Sequence, residues 1–257
     1  LHCWLASGCF MRLLERFEHQ RAAETMLEFR PTLFFGVPTI YVRLLDIPQD
    51  TAQTIGRAMR LFVSGSAPLP ATVMEGFGER FGHTILERYG MSETLMNIGN
   101  PYTGERRPGS VGLPFPGISV RLVDSEGHTV ADGETGEVVL KGPNIFAGYW
   151  KREEATQAAF RDGYFRTGDG GYLDAHGRLF WEGRLNDIIK TGGANVSPVE
   201  VDDVVETCPG VKVTKTVGLP DELLGELVVS CIVPQDGVTL TEADVRNFAK
   251  AKLANDR

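Results

Sequence analysis

Up to about Asn100 the chain alternates short apolar runs with amphipathic stretches, and beyond that point it stops doing so. That change of texture constrains the fold more than any other feature. Residues 32–35, 60–63 and 83–88 read as short strands. Between them, residues 18–29, a stretch opened by Pro38 through Leu45, and residues 70–81 carry helical spacing. Arg30-Pro31 closes the first helix, because proline disfavours helix in the residue before it. Pro38 is tolerated in a first helical turn. Strand–helix alternation of this kind predicts an α/β layer with a mostly parallel sheet.

After Asn100, residues 101–117 are rich in Gly and Pro. Short strands follow at Ser119–Val123, Gly136–Lys141, 171–173 and 178–181, with turn sequences at 124–127 and 174–177. They predict an antiparallel β unit interrupted by one helix at 152–160. Past Arg184 a helix at Pro198–Glu206, strands at 211–217 and 227–233 and a helix at 242–253 read as a small α+β domain. The expected division is therefore residues 1–184, with an α/β layer at 1–113 and a β-rich unit at 114–184, followed by a small domain at 185–257.

Composition excludes several function classes. With 42% hydrophobic and 23% charged residues the chain reads as ordinary globular material. No apolar run approaches the ~18 residues of a membrane helix. A net charge of −8 leaves no basic face to neutralise phosphates, which argues against a general nucleic-acid binder. The four cysteines, Cys3, Cys9, Cys208 and Cys231, form neither a Cys-x-x-Cys pair nor a zinc spacing. Cys208 and Cys231 lie beside apolar runs and are expected to be buried thiols. The apolar residues 1–10 lack a basic leader and a cleavage pattern, so they are read as core and the protein as cytosolic.

Four segments carry chemistry-bearing residues. Ser64-Gly65-Ser66-Ala67-Pro68-Leu69 joins a strand to a helix at the carboxyl edge, where open α/β sheets bind ligands. Its small residues admit a flat ring, though a plain turn explains it equally. Glu87-Arg88-Tyr89-Gly90-Met91-Ser92-Glu93-Thr94 brings together an aromatic ring, hydroxyls and a carboxylate. Tyr89 can stack on a base, Ser92 can donate to phosphate, and Glu93 offers a hard oxygen to Mg²⁺. The plainer reading is a helix start, with Ser92 as the cap. In Tyr164-Phe165-Arg166-Thr167-Gly168-Asp169-Gly170, Asp169 suits a ribose diol or else a Gly-Asp turn. The fourth segment runs from Gly183 to Glu200 and contains Arg184, Asn186, Lys190 and the pair Gly192-Gly193. Arg184 can grip ribose or phosphate oxygens, and the whole can equally be a linker.

Together, in this order and spacing, the four segments resemble the core motifs of the AMP-forming acyl-CoA synthetases, the superfamily that includes insect luciferases and peptide-synthetase adenylation domains. Gly136-Glu137-Val138 through Gly142-Pro143-Asn144 to Gly148-Tyr149-Trp150 fits a further family motif, as does Arg107-Pro108-Gly109-Ser110-Val111-Gly112. Malonyl-CoA synthetases are similar in more detail, through Gly36 to Leu45, Ser64 to Leu69, and Glu87 to Thr94 running into Met96-Asn97 and Asn100-Pro101-Tyr102.

The resemblance implies two reactions. ATP and a carboxylic acid give an acyl-adenylate and pyrophosphate, and coenzyme A then takes the acyl group with release of AMP. It implies that Gly65, Ser66 and Ala67 border the adenine and that Tyr89 covers a ring face. Ser92 would contact phosphate and Glu93 would hold Mg²⁺. Asp169 would bind the ribose hydroxyls, and Arg184 ribose or phosphate. Rotation of the small domain about Asn186 would bring Lys190 with Gly192 and Gly193 to coenzyme A. A malonate pocket needs a cation for the second carboxylate, for which Arg43, Arg88, Arg106 and Arg107 are candidates.

Three departures accompany the resemblance. Asn186 stands where the family usually has Asp or Lys, and neither the family's Ser/Thr/Gly-rich phosphate loop nor its carboxyl-terminal catalytic lysine is found. Lys250 and Lys252 do not match that lysine's motif. The chain is thus expected to be the later part of a large domain followed by an incomplete small one, and to adenylate poorly by itself. Alternatives are a ligase for medium-chain, long-chain or aromatic acids, and a nucleotide-binding remnant without catalysis. Luciferase-like or carrier-loading chemistry would share the first reaction. A serine hydrolase built on Ser66 lacks the usual Gly-x-Ser-x-Gly elbow.

Overall fold

The structure, a computed structural model, describes residues 6–253. Cys3, residues 1–5 and the last four residues lie outside them. Three sheets follow one another along the chain, each with its own apolar core.

The first sheet has strand order β1-β2-β3-β4-β5. Its strands are β1 (Leu33–Gly36), β2 (Leu61–Ser64), β3 (Leu86–Met91), β4 (Leu95–Gly99) and β5 (Leu113–Pro114). The first three pair in parallel, as the strand–helix alternation predicts. β4 and β5 then pair antiparallel, so the sheet is mixed. Helices α1 (His19–Phe29), α2 (Pro38–Leu44), α3 (Gln49–Ala58) and α4 (Ala71–Phe81) accompany it. Glu18 caps α1 by accepting from the Gln20 and Arg21 amides, and Arg30 ends it in the left-handed region just before Pro31. α3 was not foreseen, since its polar face outweighs the buried Ala52 and Ile55. The core is aromatic. Tyr41, Phe62, Phe77 and Phe81 are fully or nearly buried, with Phe77 stacked on Phe81 at 4.2 Å.

The second sheet, order β10-β9-β7-β6, is antiparallel as expected, with β8 (Phe160–Arg161) on the side of β9. It comprises β6 (Ser119–Val123), β7 (Gly136–Lys141), β9 (Tyr164–Leu173) and β10 (Leu179–Arg184); α5 (Glu153–Ala158) is shorter than the predicted helix. β9 is the main revision. The glycines at 168 and 170 suggest a turn, with a strand only from Gly171, yet all three glycines lie within one ten-residue strand. Leu122, Val138, Leu140 and Leu179 from this sheet pack with Tyr89 and Ile98 from the first.

A single 3-10 turn, Leu185–Asp187, joins β10 to the third sheet. Its order is β12-β11-β14-β13. The segment read as a linker is instead a hairpin, β11 (Ile189–Thr191) and β12 (Ala194–Val196), turning at Gly192-Gly193. Two longer strands, β13 (Val211–Asp221) and β14 (Gly225–Pro234), and helices α6 (Pro198–Glu206) and α7 (Glu242–Lys252) complete it around Ile189, Val196, Val201 and Val205.

Two burial expectations are corrected. Cys208 is buried, but Cys231 is exposed, because it lies across from Lys215 on the outer face of the β13–β14 ribbon. Phe10 is 93% exposed rather than part of a core. Among the described residues no helix is long and apolar enough to cross a membrane.

Candidate functional site

The first two sheets meet at one open cleft of about 620 Å³. Ser66, Ser92, Glu93, Arg166, Thr167 and Arg184 line it, with Met91, Met96 and Tyr149. Each comes from a loop or strand end that the topology brings to this corner.

Ser64 ends β2, and the chain turns through Gly65, Ser66 and Ala67 toward α4. Ser66 takes a φ of 73°, a left-handed backbone uncommon for a residue with a side chain. Ser66 and Ala67 are exposed. The turn is anchored from below, where the Leu69 amide donates to Glu87 Oε1 at 2.9 Å. Glu87 is 2% exposed, and burial pushes its carboxyl up to about 8. Its Oε2 and the neighbouring Ser64 hydroxyl have no hydrogen-bond partner among the described residues.

Ser92, Glu93 and Thr94 do not start a helix. They form the apex of the β3–β4 hairpin, so Ser92 caps nothing. A bulge between Tyr89 and Gly90 tightens the hairpin. A Cβ on Gly90 would lie 1.9 Å from the Leu95 carbonyl, which only glycine tolerates.

Asp169 sits inside β9, not in a turn, and pairs in register with Arg184 at the end of β10. Tyr89 Oη donates to Asp169 Oδ2 at 2.5 Å, while Arg184 Nε lies 3.0 Å from Asp169 Oδ1. The arginine contact is an ion pair without hydrogen-bond alignment, so Oδ1 remains free to accept. Burial raises the Asp169 carboxyl, opposed by the Tyr89 hydrogen bond and the Arg184 charge. Burial also raises the Tyr89 phenol, reinforced by the Asp169 charge. Thr167 steadies the strand, donating to the Val138 carbonyl and accepting from the Asp169 amide. Arg184 Nη1 donates to the Thr167 carbonyl at 2.9 Å. Glu137, 7% exposed, takes both Arg166 nitrogens and the Gly168 amide.

The loop after β7 adds residues whose roles the sequence did not disclose. Asn144 Nδ2 donates to the Thr94 and Met96 carbonyls and to Asn97 Oδ1. The Phe146 amide donates to the Glu93 carbonyl at 2.8 Å, and Tyr149 Oη to Glu93 Oε1 at 3.0 Å. All three lie in the motif block from Gly142 to Trp150, but some 50 residues separate them from their partners.

The structure thus brings Ser66, Tyr89, Ser92, Glu93, Asp169 and Arg184 to one corner. It does not bring Lys190, Gly192 and Gly193 there. Lys190 is exposed on β11 with its amide on Glu226, and a Cβ on Gly193 would meet open space. Asn186 is exposed in the turn between β10 and β11.

The four arginines separate clearly. Arg106 is spent on the Thr84, Pro101 and Tyr102 carbonyls. Arg107 pairs with Asp174 at 4.0 Å beside Phe180. Arg43 is exposed on α2. Of the four, Arg88 lies beside the site, over the Phe35 ring and with Nη1 on Met96 Sδ, while its buried Nε has no hydrogen-bond partner among the described residues.

Residues 1–150 match the family described as AMP-binding enzyme. The mitochondrial malonate–CoA ligase of Mus musculus is 37% identical over 98% of this chain and 48% of its own length. An oxalate–CoA ligase of Arabidopsis thaliana is 37% identical over 89% of this chain and 45% of its own. The crystal structure of ATP-bound MatB from Rhodopseudomonas palustris superimposes with a TM-score of 0.88 at 41% identity, covering 95% of this chain and 48% of that one. The chain therefore spans about half the length of the relatives it matches.

Proposed function

Because the chain belongs to the AMP-binding enzyme family, we propose that its cleft holds the adenylate of ATP and serves the activation of a carboxylic acid for transfer to coenzyme A. The observation that carries this reading is the corner built by Tyr89, Asp169 and Arg184. A buried carboxylate has one oxygen fixed by a phenol and the other left to accept, which suits a ribose diol. The Tyr89 ring, the Ser66 turn and the Ser92 hydroxyl then stand around base and phosphate. Arg184, half-exposed and already turned toward Asp169, adds positive charge where the attacked phosphorus becomes more negative.

Glu93 fits a divalent cation: it is a cleft-lining hard oxygen donor whose Oε2 takes no hydrogen bond from the described residues. Bound there, Mg²⁺ would neutralise phosphate charge. In the same reading residues 185–257 form a separate small domain that turns at Asn186. Their exposed β11–β12 hairpin, carrying Lys190, Gly192 and Gly193, would then present itself to coenzyme A. The free thiols of Cys9, Cys208 and Cys231 suit the reducing cytosol.

A short dicarboxylic acid such as malonate is the proposed substrate. Arg88 supports it, since an unpaired buried guanidinium nitrogen beside Gly65 and Met96 offers a partner for a second carboxylate. The resemblance to malonate and oxalate ligases points the same way.

Calorimetry of the chain with AMP tests the nucleotide reading. Binding that Asp169→Asn abolishes supports it, and absence of binding removes it. Malonate, acetate, octanoate and benzoate, compared on an intact version in an acid-dependent pyrophosphate assay, test the substrate. Octanoate turning over better than malonate removes the narrower claim.

A further inference from the structure

Glu93 stands at the apex of a hairpin, where a carboxylate on three rotatable bonds would ordinarily sample several positions. Here it does not stand alone. The loop from Gly142 to Trp150 crosses the hairpin and fastens it at three points. Asn144 takes the carbonyls of Thr94 and Met96 and the side chain of Asn97. Asn97 in turn donates to Thr94 Oγ1 at 2.6 Å. The Phe146 amide takes the carbonyl of Glu93 itself. Finally Tyr149 Oη reaches the Glu93 carboxylate at Oε1.

Tyr149 is well placed to hold that carboxylate still. Its ring meets Phe146 edge-on at 4.8 Å, and Phe146 packs on Phe160 and Phe165. Its amide donates to Thr156 Oγ1 at 2.9 Å, tying it to α5. The phenol is thus fixed from the ring side and from the backbone side. Its hydrogen bond is to Oε1, and among the described residues Oε2 of this cleft-lining carboxylate takes none.

We propose that Tyr149 is the positioning residue of Glu93, fixing the carboxylate by an Oη–Oε1 hydrogen bond so that Oε2 is presented to a divalent cation. This rests on the nucleotide reading above and names a residue that the reading does not need. A hydrogen-bonded carboxylate is pre-oriented, and an outer partner of this kind typically changes metal affinity about 10–100-fold. The partial exposure of the pair places the expected effect at the lower end.

Tyr149→Phe is the test, because it removes one oxygen and keeps the ring packing on Phe146. ATP binding is measured by calorimetry with and without Mg²⁺, for wild type, Tyr149→Phe, Glu93→Gln and the double variant. The expected result is unchanged ATP affinity without Mg²⁺ in Tyr149→Phe, with the Mg²⁺-dependent gain reduced about tenfold. Glu93→Gln removes that gain, and adding Tyr149→Phe to it changes nothing more. A Tyr149→Phe protein whose Mg²⁺-dependent gain equals that of wild type overturns the assignment and leaves the nucleotide site standing. A loss of ATP affinity that is equal with and without Mg²⁺ also overturns it, since that marks a purely structural role. Failure of the wild type to bind ATP overturns the nucleotide reading, and this inference with it.

Discussion

Tyr89 Oη and Asp169 Oδ2 lie 2.5 Å apart, joining a strand of the first sheet to a strand of the second across 80 residues of chain. The bond closes the corner of the cleft, and both groups are buried, at 9% and 3% exposure. Tyr89→Phe takes the phenol donor from a buried carboxylate and leaves it the unaligned Arg184 contact and the Trp181 side chain. The expected cost is about 1–3 kcal/mol of stability, the range for a buried polar group that loses its partner, read as a lower urea midpoint. AMP affinity falls in parallel.

Arg184 balances the same carboxylate and holds the Thr167 carbonyl. Arg184→Gln keeps a donor but removes the charge. AMP affinity is expected to fall about tenfold, ~1.4 kcal/mol, with a smaller change in thermal midpoint. A titration of AMP followed by calorimetry checks both.

Glu87 gives a pH signature to the folded chain. Its carboxyl is raised to about 8 by burial, from an ordinary value of 4.5. A group whose pKa is higher folded than unfolded contributes its full stability below the unfolded value. That contribution is lost as pH rises through the folded value. Thermal midpoints therefore decline from about pH 5 to pH 9 by several degrees, ~1 kcal/mol corresponding to about 2–4 °C in a chain this size. Glu87→Gln flattens the decline, and an unaltered slope in that variant refutes the assignment.

Gly90 has no room for a side chain. Gly90→Ala pushes a methyl into the Leu95 carbonyl and forces the hairpin apart. The expected cost is about 1–3 kcal/mol. Hydrogen exchange at residues 91–97 should rise.

Arg88→Met keeps the length over Phe35 and removes the cation. Dependence on malonate is expected to weaken about 10–100-fold, the equivalent of one charged hydrogen bond, while acetate dependence stays unchanged. Equal losses for both acids would show that Arg88 serves structure alone.

The fold was legible wherever periodicity was local. The strands at 32–35 and 60–63 and the helix Pro198–Glu206 were read nearly to the residue because a local apolar run defines each, with Pro31 marking the first strand and Pro198 the helix. A Gly-Asp turn competed with ribose binding as the reading of Asp169 because its flanking glycines are turn formers. In the sheet they serve another purpose, since Gly168 takes a φ of 71° and a Cβ on Gly170 would lie 3.1 Å from Leu185 Cδ2. Ser92 was weighed as a helix cap because Ser, Glu and Thr before an apolar run look alike at a helix start and a hairpin apex. The site residues were legible as a set of motifs, but their pairing was not. Tyr89 with Asp169, Asn144 with Asn97 and Tyr149 with Glu93 are contacts between distant segments, and no spacing rule reaches them. Cys231 shows the same limit in burial, where an apolar neighbourhood in sequence faced outward in space.

Arg184 is the last residue of β10, and the Leu185–Asp187 turn begins at the next peptide. The side chain that grips the Asp169 corner thus stands at the peptide that leads into the third sheet. Under the proposed turning at Asn186, a backbone torsion there would alter the grip and the bearing of the sheet in one stroke. Occupancy of the cleft and attitude of the carboxyl-terminal sheet would then be mechanically geared through one peptide, with the Ser197–Glu182 hydrogen bond as a second tie between them.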